Sequence, residues 1–164
     1  MSGPTGTTGG SALLLVASLG LVAVVAAVGG AATSRSVGDW YDGLDRAPWN
    51  PPAWVFGPAW TALYALMAVA AWLVAREGLD VAGVRTALAL YGLQLALNLA
   101  WSLVFFGLRR PGWGLAVIVA LLFAIAATAV AFHAVSPTAA WLLAPYLAWV
   151  AFAASLNAWI AFAN

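Results

Sequence analysis

Five long apolar runs, separated by short polar or proline-containing breaks, dominate the hydrophobic pattern of this chain. We predict a helix in each run, at about residues 12–32, 54–75, 84–106, 113–133 and 138–162. A helix rises about 1.5 Å per residue, so each run can cross a hydrocarbon core of about 30 Å. Backbone groups in lipid must be paired within the segment, and the sequence lacks the alternation of a membrane barrel. The pattern therefore predicts an all-α integral membrane bundle of five transmembrane helices.

Composition supports the same environment and excludes several classes of function. The 164 residues are 65% hydrophobic and 7% charged, with a mean hydropathy of +0.99, so a lipid bilayer is the expected partner. Every charged residue lies between the predicted helices or at their ends. The sequence contains no cysteine, which excludes disulfides and thiolate metal sites. A net charge of +1 without a basic patch predicts no binding to nucleic acid.

The start of the chain admits two interpretations. Residues 1–11 are small and polar, and we predict a flexible tail there, followed by a single domain over residues 12–164. A cleaved signal peptide is the alternative for residues 12–32. That run lacks a positively charged n-region and is about twenty residues long, which favours a retained helix.

The distribution of arginines predicts an orientation in the membrane. Cytoplasmic loops carry an excess of basic residues, so the end with more arginines is expected to face the cytoplasm. This places the N-terminus outside and the C-terminus inside, in a membrane that we expect to be a bacterial cell membrane. The end of the bundle that carries the long connection and the C-terminus has four arginines, Arg35, Arg46, Arg109 and Arg110. The opposite end has two, Arg76 and Arg85.

The connection at residues 33–53 is long and rich in tryptophan and proline. Long connections in compact bundles are usually functional or disordered, and disordered segments are poor in aromatic residues. Proline fixes its own φ and restricts the preceding residue, so this connection should be stiff. We predict a rigid aromatic lid over one mouth of the bundle. The alternative is a belt of interfacial tryptophans, which would account for Trp40 and Trp54.

The polar residues of the third run predict an inward face. Gln94 and Asn98 are four residues apart and share one side of a helix, with Trp101 three residues further along. Amides at membrane depth usually face the bundle interior. Asn157, in the fifth run, could pair with Asn98 or with a ligand. Hydrogen bonding between helices without any ligand remains the alternative for all three amides.

The opposite side of the third run carries the small residues Gly92, Ala96 and Ala100. Small residues at this spacing let helices approach closely, so we predict a packing or dimer face there. Chance is the alternative, because alanine is common throughout the chain.

The sequence offers no conventional catalytic set. It has no nucleophile–base pair, no carboxylate dyad within a span and no cluster of metal-ligating residues. His133 is the single histidine and lies at the end of a predicted helix, where an interfacial role is favoured over haem ligation. We therefore expect no catalytic residues, no metal site and no built-in cofactor.

Three stretches of this sequence resemble the TspO/MBR family of translocator proteins. The stretch 40-WYDGLDRAPWNPPAW-54, which continues to Trp60 and Tyr64, resembles the first loop and second helix of that family. The stretches 94-QLALNLAWSLVFFG-107 and 145-PYLAWVAFAASLN-157 resemble its third and fifth helices. The resemblance covers about residues 39–157, in the same order and on the same elements.

This resemblance implies a five-helix fold, often a homodimer, with a ligand pocket inside the bundle beneath the first loop. It implies porphyrins such as protoporphyrin IX and haem as ligands, with sterols and synthetic aromatic compounds in animal members. The residue patterns and the resemblance together give the candidate ligand-binding residues: Trp40, Trp49, Pro51, Trp54, Trp60, Tyr64, Gln94, Asn98, Trp101, Trp113, Ala153, Leu156 and Asn157.

The implied function is a membrane receptor or transporter for porphyrins or other flat apolar ligands, in tetrapyrrole transport or stress sensing. One alternative is light- and oxygen-dependent porphyrin degradation through tryptophan radicals, with Trp60 as the reactive residue. Another is a scaffold or regulatory membrane protein. Ala158 and Phe162 replace the tyrosine and basic residue of the animal sterol element, which argues against strong sterol binding. Trp159 is one residue beyond the position of a tryptophan implicated in porphyrin breakdown, which weakens the enzymatic alternative.

Overall fold

The computed structural model describes residues 8–164, which form a bundle of helices joined by short connections. A single 3-10 turn at Tyr41–Gly43 follows the first helix, and a π-helical segment at Leu103–Gly107 extends the third. Within the described residues, five segments are long and apolar enough to cross a membrane, the last being α5 and α6 in succession, so the prediction of an all-α bundle with five spans is confirmed. The helices are α1 (Thr8–Val37), α2 (Ala53–Ala75), α3 (Val84–Ser102), α4 (Pro111–Val135), α5 (Pro137–Leu142) and α6 (Ala144–Ala163).

Packing follows the order of the chain, as short connections require. Helix α1 lies along α2, α3 lies along α4, and α4 lies along α6. The interior is filled by small and branched apolar side chains, which let the helices approach closely. The residues buried at the centre come from every helix after α1, and include Met67, Ala70, Val74, Ala87, Leu95, Ile118, Leu121, Ile125, Ala139 and Val150.

Helix α1 is longer than the run at residues 12–32 predicts. Residues 8–11, predicted to be flexible, are helical, because the Trp72 indole donates hydrogen bonds to the Ser11 carbonyl (2.9 Å) and hydroxyl (3.2 Å). Residues 1–7 of the predicted tail lie outside the described residues. At the other end α1 continues to Val37, and the Ser36 hydroxyl donates to the Phe106 carbonyl at 2.6 Å. Tertiary hydrogen bonds thus extend the helix at both ends.

The end of the third span differs from the continuous helix predicted at residues 84–106. After Ser102 the backbone widens, and the Leu108 amide donates to the Leu103 carbonyl at 2.8 Å, a π-helical bond. The widened turn brings Phe105 into the core, where it is 2% exposed. Such π-helical turns are frequent at functional sites. Beyond the turn, Arg109 has a φ of 55° in the left-handed region.

The fifth span is also interrupted, whereas one helix was predicted at residues 138–162. Helix α5 ends at Leu142 and α6 begins at Ala144, with Pro145 in its first turn. Proline cannot donate a backbone hydrogen bond, so the ladder breaks here. The Leu143 amide instead donates to the Ala140 carbonyl at 3.0 Å, which tightens the turn. The two helices still form one membrane span.

Candidate functional site

Four aromatic side chains from three helices meet inside the bundle. Trp60 of α2 lies at their centre, with ring centroids 5.5 Å from Tyr64, 6.5 Å from Trp101 of α3 and 6.3 Å from Tyr146 of α6. We call this group the aromatic cage. Rings at these distances are in the range of favourable aromatic pairing, so the cage packs tightly on itself.

A chain of hydrogen bonds runs beside the aromatic cage. The Tyr64 hydroxyl donates to Asn98 Oδ1 at 2.8 Å, and Asn98 Nδ2 donates to the Tyr146 hydroxyl at 3.1 Å. That hydroxyl in turn donates to Gln94 Oε1 at 2.9 Å. Gln94 and Asn98 are each 1% exposed, so these partners remove the cost of burying two amides in an apolar environment. We call Tyr64, Gln94, Asn98 and Tyr146 the amide network.

A third buried amide, that of Asn157, ties the cage to the start of α4. Trp101 Nε1 donates to Asn157 Oδ1 at 3.0 Å, and Asn157 Nδ2 donates to the Pro111 carbonyl at 2.8 Å. Ala153 and Leu156 lie on the same face of α6 as Asn157 and are buried. This arrangement fixes the indole of Trp101 relative to three helices.

Residues 38–52, which we call the lid, pack on the π-helical turn at one side. The Trp40 ring lies 5.6 Å from Phe105, and the Tyr41 ring lies 5.7 Å from Phe106. Phe105 stacks on Trp101 at 5.7 Å, so aromatic contacts run without a break from the lid to the cage. The lid is thus linked to the cage through Phe105.

Hydrogen bonds and charge stiffen this part of the lid. The Tyr41 hydroxyl donates to Asn50 Oδ1 at 3.1 Å, and Arg46 bonds Asp42 at 3.3 Å while its guanidinium lies 5.6 Å from the Tyr41 ring centroid. Burial raises the pKa of the Tyr41 phenol, although Arg46 and the bond to Asn50 act in the opposite direction. The phenol is therefore neutral at physiological pH and remains a hydrogen-bond donor.

The other side of the lid is fastened to α6. The Asp45 amide donates to Asn164 Oδ1 at 2.9 Å, and Asn164 Nδ2 donates back to the Asp45 carbonyl at 3.2 Å. Trp49 packs edge-on against Trp159, with ring centroids 5.3 Å apart. Its indole nitrogen also donates to the Ser155 hydroxyl at 3.4 Å. The lid thus bridges the end of the third span and the end of the fifth.

Two depressions adjoin the lid. The first, of about 250 Å³, lies between the lid, the α3–α4 connection and the end of α6, with Trp40, Leu44, Arg109, Gly112, Ile160 and Asn164 among its walls. The second, of about 500 Å³, is an open apolar groove on the outer side of α6, with Trp49, Ser155, Trp159 and Phe162 among its walls.

Residues 18–163 match the sequence model of the TspO/MBR family. The matched range contains the lid, the cage and the amide network. The chain belongs to the TspO/MBR family. It is 49% identical to the translocator protein of Homo sapiens over 120 residues, which cover 72% of this chain and 70% of the human protein. It is also 43% identical over 136 residues to the tryptophan-rich sensory protein of Cereibacter sphaeroides, covering 81% and 84% of the two chains.

A third relative extends the match toward the ends of this TspO/MBR member. The tryptophan-rich protein TspO of Chlorobaculum tepidum is 41% identical over 145 residues, which cover 88% of this chain and 92% of that protein. Family membership and the five apolar spans establish a multi-pass membrane protein and support a receptor- or transporter-like role.

The structure of this TspO/MBR member brings most of the predicted ligand-binding residues to one place. Inside the bundle they form the cage, the amide network and the adjoining face of α6. Trp40 connects to them through Phe105, while Trp49 and Pro51 lie in the lid, with Trp49 resting on α6. The interior group consists of Trp60, Tyr64, Gln94, Asn98, Trp101, Ala153, Leu156 and Asn157.

Two predicted ligand-binding residues lie elsewhere. Trp54, in the first turn of α2, is 75% exposed, and Trp113, in the first turn of α4, is 69% exposed. Both side chains point out of the bundle, so the structure does not bring them to the cage. Their positions at helix starts on the lid side agree with the interfacial preference of tryptophan, the alternative raised from the sequence for Trp54.

Three further residues of the site, Tyr146, Phe105 and Phe106, were not predicted from the sequence. Tyr146 is fully buried and holds the amide network together, while the two phenylalanines connect the lid to the cage. A phenolic hydroxyl within an apolar run needs a partner, by the argument applied to Gln94 and Asn98, so this signal could have identified Tyr146. Nothing comparable marks the phenylalanines, whose inward direction depends on the π-helical turn.

The predicted dimer face lies on the outside of α3. Gly92 and Ala96 are exposed and Ala100 is partly exposed, and a Cβ added at Gly92 would meet no atom within 4 Å. Gly92 and Ala96 therefore lie on the outer surface of the bundle described for residues 8–164. Their participation in a homodimer stays a prediction.

Proposed function

We propose that this protein is a membrane receptor or transporter-like protein that binds porphyrins, such as protoporphyrin IX or haem, inside the bundle. The observation that carries the proposal is the aromatic cage around Trp60, which the lid contacts through Phe105. Tryptophan and tyrosine faces stack well on flat apolar ligands at a low cost in side-chain entropy. An apolar site with a few convergent polar groups is the usual form of a small-molecule site.

Binding at the cage requires a local rearrangement. Trp60 is in contact with three neighbouring rings, and the members of the amide network bond one another, while Gln94 Nε2 donates to Met67 Sδ at 4.0 Å. A macrocycle would therefore have to move the Trp60 indole aside and stack between this indole and the rings of Trp101 and Tyr146. The lid is held by separate contacts at its two sides, so it can open at one side while the other remains attached.

Trp60→Phe tests the site. Loss of the larger indole face is expected to weaken protoporphyrin IX binding by about two- to tenfold, the range that one aromatic pairing contributes. The measurement is quenching of tryptophan fluorescence by protoporphyrin IX in detergent-solubilised protein. Trp113→Phe is the matched control, because it makes the same substitution on a side chain that is 69% exposed on the outer surface.

Saturable quenching by the wild-type protein, weakened by Trp60→Phe and unchanged by Trp113→Phe, supports the proposal. Quenching that never saturates, or equal affinity in all three proteins, contradicts it. In that case a scaffold or regulatory role becomes the better description of this family member.

A second candidate function is light-dependent porphyrin degradation, in which dioxygen is reduced and the bound porphyrin is oxidised. The contact of Trp60 with Trp101, Tyr64 and Tyr146 favours it, because these rings are oxidisable and adjacent. The test is porphyrin absorbance and oxygen uptake under illumination, with Trp60→Phe and a protein-free sample alongside. Porphyrin loss at the same rate without protein would eliminate this candidate.

The arrangement in the membrane belongs to the same proposal. We place the protein in a bacterial cell membrane with the lid and C-terminus in the cytoplasm, because Arg35, Arg46, Arg109 and Arg110 all lie at the lid end. We also propose that two copies of the chain form a homodimer through Gly92, Ala96 and Ala100. Reporter fusions at the C-terminus and cross-linking at Gly92→Cys measure these two features.

A further inference from the structure

The cavity at the edge of the lid is distinct from the aromatic cage. Its volume of about 250 Å³ is below the roughly 300–1,000 Å³ of typical small-molecule pockets, so it suits one part of a ligand. Trp40 and Leu44 of the lid form one wall, and Ile160 and Asn164 of α6 form another. Arg109 and Gly112 of the α3–α4 connection complete it.

Arg109 brings an uncompensated positive charge to this cavity. Arg46, Arg76 and Arg85 each bond a neighbouring carboxylate at 3.3–3.8 Å. Arg109, by contrast, is exposed and makes neither a salt bridge nor a side-chain hydrogen bond within residues 8–164. Its backbone has a φ of 55°, a strained conformation for a residue other than glycine. Such strain is typical of functional positions, and here it accompanies a guanidinium with free donors at a cavity.

The polar and acidic groups nearby leave this charge available. Asn164, on the opposite wall, uses its side-chain amide to bond the Asp45 backbone and the Ile160 carbonyl. Among the acidic residues of the lid, Asp42 is paired with Arg46, whereas Asp39 and Asp45 form no salt bridge with Arg109 or with any other residue of the range 8–164.

The cavity also connects to the aromatic cage through side-chain contacts. Trp40 forms part of its wall and lies 5.6 Å from Phe105, which stacks on Trp101 of the cage at 5.7 Å. A ligand with its charged arm at Arg109 and its flat apolar body at the cage would have to move these intervening rings aside.

We propose that this cavity binds the anionic oxygen group, a carboxylate or a phosphate, of an amphipathic ligand, with Arg109 as its partner. The inference rests on the proposed function for one source of that group, the propionate arms of a porphyrin. The other source is the phosphate of an anionic phospholipid. An arginine fork can bond two oxygens of either group in a defined geometry.

The experiment compares protoporphyrin IX with its dimethyl ester, which has the same ring and no carboxylate. Affinities are measured by fluorescence quenching in nanodiscs of neutral phosphatidylcholine. The wild-type protein is expected to prefer the free acid by about tenfold, the size of one charge-assisted hydrogen bond. Arg109→Gln should remove this preference while leaving the affinity for the ester unchanged.

Two variants make the comparison specific to Arg109. Arg109→Lys keeps the charge and should retain part of the preference for the acid, because lysine binds anions without the bidentate geometry. Arg110→Gln removes the adjacent arginine, which is exposed like Arg109 but is not part of the cavity wall, and should behave like the wild type. A general effect of net charge would instead change both glutamine variants equally.

A second arm tests the lipid source with phosphatidylglycerol added to the same nanodiscs. Phosphatidylglycerol that raises the thermal stability of the wild type but not of Arg109→Gln identifies the phosphate as an occupant. An unchanged acid preference together with an unchanged lipid response in Arg109→Gln overturns the inference. If the wild-type protein binds neither porphyrin, only the proposed function is refuted. The inference about the cavity is then tested by the lipid arm.

Discussion

Replacing Gly114 with alanine is expected to lower the stability of the bundle by about 1–2 kcal/mol. A Cβ at this position would lie 3.0 Å from Phe105 Cδ2 and 3.1 Å from Asn157 Oδ1, closer than ordinary contacts. Phe105 cannot yield easily, since Trp101 and Phe106 pack against it. Overpacking of this kind costs about 1–3 kcal/mol, partly offset by the helix propensity gained when glycine becomes alanine.

Thermal unfolding in detergent, followed by circular dichroism, measures this effect. Gly112→Ala is the matched control, because it lies in the same first turn of α4 and an added Cβ would meet nothing within 4 Å. A displaced Asn157 should also shift the fluorescence of Trp101, its hydrogen-bond partner. Equal melting temperatures for the two variants would show that Phe105 and Asn157 adapt without cost.

Replacing Tyr146 with phenylalanine is expected to lower both stability and porphyrin affinity. The change removes one hydroxyl and leaves Asn98 Nδ2 and Gln94 Oε1 without their partner in a buried environment. An unsatisfied buried group costs about 1–3 kcal/mol, whereas hydrogen bonds between membrane helices average about 0.6 and reach about 1.7 kcal/mol. We therefore expect the free energy of unfolding to fall by about 1–2 kcal/mol. The affinity for porphyrin should also fall, because the amides of Asn98 and Gln94 become free to reorient at the cage.

Tyr41→Phe provides the comparison, since its hydroxyl bonds Asn50 in the partly exposed lid. A change within about 0.5 kcal/mol is expected there, as for most substitutions near a surface. The measurements are the melting temperature in detergent and the dissociation constant from protoporphyrin IX quenching. If Tyr146→Phe were as stable as Tyr41→Phe, the amide network would not contribute to the stability of the bundle.

The number of spans could be predicted from the sequence because hydropathy reports burial in lipid, and charges mark the ends. The inward residues were harder to predict, since helices in lipid are apolar on all sides and periodicity does not separate core from surface. Only polar residues carry that information. Gln94, Asn98 and Asn157 were assigned to the interior for this reason, and the structure buries all three to 1% exposure.

Tryptophans were the least predictable residues, because the same side chain suits a cage and an interface. Trp60 and Trp101 lie inside the bundle, whereas Trp54 and Trp113 point outward. The inward position of Phe105 depends on the π-helical turn, which no local pattern in the sequence predicts. The interruption near Leu143 is different, because Pro145 within an apolar run is a recognised sign of a helix boundary.

The length of α1 couples the lid to the thickness of the surrounding bilayer. Its 30 residues span about 45 Å at 1.5 Å per residue, while the hydrocarbon core measures about 30 Å. Such a helix must tilt or protrude, and the degree of tilt changes with the mismatch between protein and lipid. Because Ser36 ties its end to the Phe106 carbonyl, a change in tilt shifts the lid against the third span. Ligand affinities measured in short-chain detergent and in long-chain lipid should therefore differ even when no residue is altered.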